Sequence, residues 1–221
     1  MAGEARRQRR TGPGVRPGGH PLRPEVVAHH QRQRILTGAA KAFAELGYRQ
    51  TSVADIVKSA AIARKLFYVH FSSKEDCFFA LYDEAAAAAL EAVDEACAES
   101  GDDFPDRVSA GIAALLTFME ADRERARACV VEGPAVGPAI TKRFEKLIDA
   151  FAALLRSGRG EEGNGELPDT VEETVVGGLY WLLYHALLEE RPKQVRRLRS
   201  QLVEFSLIPF VGAEAAGAAA R

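Results

Sequence analysis

The 221 residues predict an all-α fold of about nine helices, three in a small N-terminal group and the rest in a larger C-terminal one. Three observations carry that expectation. Apolar residues recur at steps of three and four through most of the chain, the period of a helix buried on one side. The periodic stretches are bounded by Ser or Asp at their starts and by Gly or Pro at their ends, the residues that cap and stop helices. The valine pairs Val130-Val131 and Val175-Val176 are too short for strands and lie inside helical patterns.

Residues 1–24 are rich in Arg, Gly and Pro with almost nothing to bury, which predicts a basic disordered arm. From Pro24 a helix carries Leu36, Ala39, Ala40, Phe43 and Leu46 on one side and stops at Gly47. Ser52 and Asp55 form a capping box for a short second helix with Val53, Ile56, Val57 and Ala60 inward. Ala61 and Ile62 make a turn, and a third helix runs from Ala63 to about Phe71. Ser73 caps a long fourth helix reaching about Glu99, closed by Gly101-Asp102-Asp103. Pro105 opens a helix over 106–121, followed by shorter and longer ones over about 122–131 and 138–156. The glycine- and glutamate-rich stretch from Ser157 to Leu167 reads as a flexible connector. Helices over about 169–189 and 193–209 finish the pattern, and 212–221 reads as a flexible tail.

Charge is divided unevenly along the chain. Residues 1–75 hold 14 Lys and Arg against 5 Asp and Glu, while the remainder holds 15 against 26. A basic head on an acidic body points to a polyanionic partner at one end only. No stretch approaches the uninterrupted apolar length of a membrane span, and the polar start is unlike a signal peptide, so no membrane partner is expected. Cys77, Cys97 and Cys129 are odd in number and lack metal-ligand spacing, which suits small apolar residues in a reducing cytoplasm.

The chemistry concentrates in residues 51–76. Two short helices joined by a tight turn behind a longer supporting helix are the parts of a helix-turn-helix, whose second helix fits the major groove of DNA. Arg64 and Lys65 at the start of that helix can donate to guanine edges. Tyr68 and His70 can reach phosphate oxygens, and Thr51, Ser52 and Lys74 sit at helix starts, where free amides favour an anion. Phe67 and Phe71, four apart, are expected to be buried together.

Residues 25–78 resemble the DNA-binding domain of the tetracycline-repressor (TetR) family. Phe43, Gly47, Tyr48, Thr51, Ser52, Asp55 and Ile56 carry the likeness, together with the string F-Y-x-H-F-x-S-K-E from Phe67 to Glu75. The segment from Val131 to Pro138 also resembles the helix 6–7 region of some members. The resemblance implies a nine-helix homodimer that binds double-stranded DNA through its first three helices. The remaining helices would bind an inducer, and the last two would form most of the dimer interface. Three positions depart from the family pattern. Ala61 stands where glycine is common, Ala63 where a Ser or Thr caps the recognition helix, and Lys65-Leu66 where small residues are usual. A left-handed Ala and a missing cap each cost on the order of 1 kcal/mol.

On that pattern the organisation is 1–24 arm, 25–73 DNA-binding domain, 74–211 effector-binding and dimerisation domain, and 212–221 tail. An apolar cavity between helices is expected, with Phe118, Met119, Phe151, Tyr180, Trp181, Tyr184 and His185 as candidates for a small, largely apolar or aromatic effector. Val195, Leu198, Leu202 and Phe205 step by 3, 4 and 3 and, with Val175 and Gly178, are expected to form the dimer interface across a palindromic operator. No phosphate loop, nucleophile elbow or metal-ligand cluster is present, so neither an enzyme nor a cofactor is expected. A repressor released by its effector is the leading reading. An activator, or a helical DNA-binding or protein-interaction module without an effector, is the alternative.

Overall fold

The computed structural model describes residues 23–160, 167–189 and 198–221. Most of the basic arm, the middle of the glycine-rich stretch and Val195 lie outside them. Nine α-helices occur among the described residues, with no strand: α1 (Pro24–Leu46), α2 (Val53–Ser59), α3 (Arg64–His70), α4 (Lys74–Glu99), α5 (Phe104–Ala121), α6 (Arg123–Val130), α7 (Pro138–Leu155), α8 (Val171–Leu188) and α9 (Arg199–Ala219).

Two apolar cores organise them. The first joins α1, α2, α3 and the start of α4 around Ile35, Phe43, Ile56, Phe67 and Phe78, all fully buried. Gly38 makes the α1–α2 crossing possible. A Cβ there would stand 2.5 Å from the backbone nitrogen of Ala60, so only a residue without a side chain lets the helices meet. Gly47 ends α1 at φ 79°, a conformation glycine adopts freely, and its amide donates back to the Phe43 carbonyl. The second core gathers α5, α8 and α9 around Ile112, Leu116, Leu183, Leu207 and Phe210. Helix α4 links the two, with Phe78 and Leu81 in the first core and later turns packed along α5.

Two sequence expectations change. The tail is helical, since α9 continues to Ala219 across a kink at Gly212 (φ 76°, ψ 166°), and Ala216 is buried. By length and composition α9 also meets the bar for a membrane span, but Leu202, Val203, Leu207 and Phe210 bury its inner side in the protein core. The start of the connector is a 3-10 turn, Arg156–Gly160. Arg159 in that turn donates to both carboxylate oxygens of Glu172, at 2.6 and 2.8 Å. Glu172 is 1% exposed, and its carboxyl is held below the usual range by those hydrogen bonds.

Gly38→Ala is expected to lower stability by roughly 2 kcal/mol, because α2 must move to admit the new carbon. In thermal unfolding that is about 4–8 °C for a protein of this size.

Candidate functional site

The candidate nucleic-acid interface is built on α2 and α3. Ser52 caps α2 as its sequence requires: its Oγ accepts from the Asp55 amide at 3.3 Å, and its own amide donates to Asp55 Oδ2 at 2.9 Å. The Ser52 hydroxyl also donates to that carboxylate, and these hydrogen bonds hold the Asp55 carboxyl below its ordinary range. Ser52 is exposed at the start of α2. Thr51 is not. It is 1% exposed, with its hydroxyl donating to the Gly47 carbonyl at 2.7 Å, so its side chain is part of the head's core.

The turn from α2 to α3 contains Ala61 at φ 50°, the one non-glycine residue with positive φ among those described. A left-handed alanine is strained. Arg34 on α1 counters this by donating to the carbonyls of Ala60 and Ala61 at 3.2 and 3.0 Å. Sequence reading missed Arg34, whose partners lie 26 and 27 residues away and leave no local signal. Ala63 starts α3 without any side-chain cap.

Phe67 and Phe71 turn inward with rings 5.8 Å apart. Arg64, Lys65, Tyr68 and Val69 form the outward strip. Arg64 donates to the Tyr68 hydroxyl at 3.3 Å and lies 5.7 Å over its ring, which holds the two as one unit. Val69, 67% exposed, was also missed, although it falls four residues after Lys65 on the same face. His70 is only half-exposed, its Nε2 3.4 Å from Gln31 Oε1 on α1, which takes it off the strip.

Lys74 departs furthest from its expected role as a phosphate contact. Its ammonium donates to the carbonyls of Tyr48, Thr51 and Arg49 at 2.9, 2.8 and 3.4 Å, and sits 4.6 Å over the Tyr48 ring. An ammonium has three donors, and all three are aimed at the α1–α2 loop. From the other side, Glu132 accepts from the Tyr48 amide at 2.8 Å. Arg127 on α6 donates to Ala44 O on α1 at 3.1 Å and to Leu187 O on α8 at 2.8 Å.

The body holds a cavity of about 520 Å³ between α4, α5, α6, α7 and α8. Phe118, Met119, Phe151 and Tyr180 line it, as the sequence suggested. Trp181, Tyr184 and His185 do not. Helix α8 gives the cavity Val176, Leu179, Tyr180 and Leu183, a stripe at helical spacing, so the other three fall on adjacent faces. Trp181 is 60% exposed, stacked with Tyr184 at 6.0 Å. The Tyr180 hydroxyl donates to Val130 O at 2.7 Å, and burial pushes its pKa up to about 12. Burial likewise pushes the Cys129 thiol at the cavity wall up to about 12. A second lobe of about 440 Å³ shares Tyr82, Cys129, Phe144 and Tyr180 with the first and extends to Pro134 and Ile140. The unnoticed part of the wall is the alanine run of α4, where Ala85, Ala86 and Ala89 leave the space open. Among the described residues no group of three His, Cys, Asp or Glu converges as a metal site would require.

The expected interface stripe divides. Val175 and Leu202 are buried within the protomer, and Leu198 is half-buried. Gly178 accommodates the Phe205 ring of its own chain, whose carbons would lie 2.7 Å from an added Cβ. Phe205 of that stripe is exposed, and Trp181, Leu188 and Ile208 are the other exposed large apolar residues of α8 and α9. Within that stripe, Leu202 faces the protomer's own core while Phe205 does not.

Two substitutions test this geometry. Lys74→Met is expected to destabilise the free protein by roughly 2 kcal/mol, visible in thermal unfolding without DNA, because it strips charge-assisted hydrogen bonds from three carbonyls. Ala63→Ser supplies the absent cap and is expected to add about 1 kcal/mol, with slower amide exchange over residues 64–70.

The family model for "Bacterial regulatory proteins, tetR family" matches residues 35–81, the span from the middle of α1 into α4. Over 148 residues the chain is 32% identical to the uncharacterised HTH-type transcriptional regulator YezE of Bacillus subtilis, covering 61% of this chain and 74% of that protein. It is 42% identical over 65 residues to the HTH-type transcriptional repressor AcnR of Corynebacterium diphtheriae, covering 29% of this chain and 34% of AcnR. Among solved structures, FadR of Bacillus subtilis in complex with stearoyl-CoA superposes with a TM-score of 0.68 at 17% identity, over 81% of this chain and 98% of that one. With the helix-turn-helix geometry and the nine-helix body, these matches establish that the chain belongs to the TetR family of DNA-binding transcriptional regulators.

Proposed function

We propose that the chain is a cytoplasmic repressor that binds a palindromic operator as a homodimer and is released when a small, largely apolar effector enters its cavity. The observation that carries this reading is the position of α6. Arg125, Ala126 and Cys129 on that helix line the cavity, while Arg127 between them grips α1 and α8. An occupant that displaces α6 therefore moves the end of α1 and, through Glu132 and Tyr48, the loop that Lys74 holds. Helix α4, which runs from the head along the cavity, is one connection between the two, and α6 is a second. The effector needs only to prefer the conformation that does not fit DNA.

Base reading belongs to Arg64, Lys65, Tyr68 and Val69, the first two as donors to guanine and Val69 as an apolar contact for a thymine methyl. Ser52 remains a phosphate contact at the start of α2. The exposed Trp181, Leu188, Phe205 and Ile208 form the dimer face, which sets two α3 helices about 34–36 Å apart to enter successive major grooves. AcnR, which shares the head, supports repression as the sign of control. FadR, which shares the fold and was solved with stearoyl-CoA, supports an apolar-chain occupant.

In vitro selection of bound DNA from a random pool is expected to return an inverted repeat; enrichment of single half-sites or of no sequence would refute the operator model. In mobility shifts at fixed salt, Arg64→Ala is expected to lower discrimination between selected and scrambled sites about tenfold. The double substitution of Phe205 and Ile208 by Glu is expected to give a folded monomer in sedimentation and to abolish tight operator binding.

A further inference from the structure

The cavity has an asymmetric wall. Its lining on α4 runs from Tyr82 to Ala98, sixteen residues further on, which makes it about 24 Å long. A lining of that length suits an extended occupant better than a compact one. Between the ends the wall is apolar, with Ala85, Ala89, Val93 and Leu115 typical of it.

At the far mouth lie Asp102 and Arg107, and Arg107 already donates to the Ser157 hydroxyl at 2.6 Å. Toward the DNA-binding head lies Arg125, whose side chain is 18% exposed. The Arg125 guanidinium is incompletely satisfied. Its Nε is buried without a hydrogen bond, since the Asp122 carboxylate 3.1 Å away is an ion-pair partner off the N–H direction. Its terminal amino groups make no hydrogen bond among the described residues. The terminal nitrogens, on the wall of an otherwise apolar slot, keep donors for a further acceptor beside the Asp122 ion pair.

We propose that the effector is a linear amphiphile with a free carboxylate, its chain lying along the alanine wall of α4 and its carboxylate received by Arg125. This rests on the effector reading above and adds to it the shape and charge of the occupant. A planar carboxylate matches the guanidinium fork, and the pair gains strength from its apolar surroundings. The placement also puts the head group against α6, two residues from Arg127, so that the charged end of the occupant meets the helix that grips α1 and α8.

The test uses the full chain and four sixteen-carbon probes: hexadecanoate, hexadecanol, methyl hexadecanoate and hexadecanoyl-CoA. Binding is measured by fluorescence titration and by thermal shift. Wild type is expected to prefer hexadecanoate over the alcohol and the ester by about tenfold or more, the range of a charge-assisted hydrogen bond. Arg125→Gln is expected to erase that preference while binding hexadecanol as wild type does, which also shows that the variant is folded. Arg125→Lys is expected to retain part of it. Equal binding of acid, alcohol and ester by wild type would overturn the assignment, as would an undiminished acid preference in Arg125→Gln. Tighter binding of the CoA ester than of the free acid would overturn it too, by placing the polar end outside. If no probe of any head group binds, the effector reading itself fails, a result distinct from binding that ignores the head group.

Discussion

The orientation of the DNA-binding head rests on charged side chains aimed at backbone groups. The loop from Gly47 to Thr51 presents carbonyls to the ammonium of Lys74 on one side and the Tyr48 amide to the carboxylate of Glu132 on the other. Arg127 adds a second tie, joining carbonyls near the C-terminal ends of α1 and α8, where the helix dipole favours a cation. Charge-assisted hydrogen bonds are stronger than neutral ones and depend more on direction. A joint made of them holds one geometry well and loses it sharply when one partner shifts. Apolar packing alone would tolerate sliding between the two units. These contacts give the head a defined angle, and that angle decides which side chains it presents outward.

The recognition helix is held differently. It has no N-terminal side-chain cap, and it follows a strained alanine at φ 50°. Its support is tertiary: Phe67 and Phe71 in the core beneath it and Arg34 on the carbonyls of the turn before it. An isolated seven-residue helix is far too short to persist in water. Its order is borrowed from α1 and α4, which places those two helices, rather than α3 itself, in control of how firmly the reading strip is presented.

The fold was legible in the sequence because helical periodicity and caps are local signals. Ser52 with Asp55, Ser73 before α4 and Gly47 after α1 each do what their residue types dictate within four positions. The outward strip of α3 was legible for the same reason, since Phe67 and Phe71 fix which side is in and so leave Arg64, Lys65 and Tyr68 out. What could not be read is what depends on contacts far apart in sequence. Thr51 and Lys74 stand at helix starts, where an anion would be welcome, yet the fold brings carbonyls to both. Trp181, Tyr184 and His185 are chemically suited to a binding site, but on a helix as apolar as α8 composition does not say which side meets the cavity. The stripe through Leu202 met the same difficulty. Coiled-coil spacing is identical whether the partner is another chain or helix α5.

The alanine run on α4 separates two kinds of evolutionary change. Ala85, Ala86 and Ala89 touch the cavity but none of the groups that orient the head, so enlarging any one of them would narrow the slot and leave the joint at Tyr48 intact. The shape of the cavity can therefore drift, one methyl group at a time, while the angle of the head stays fixed.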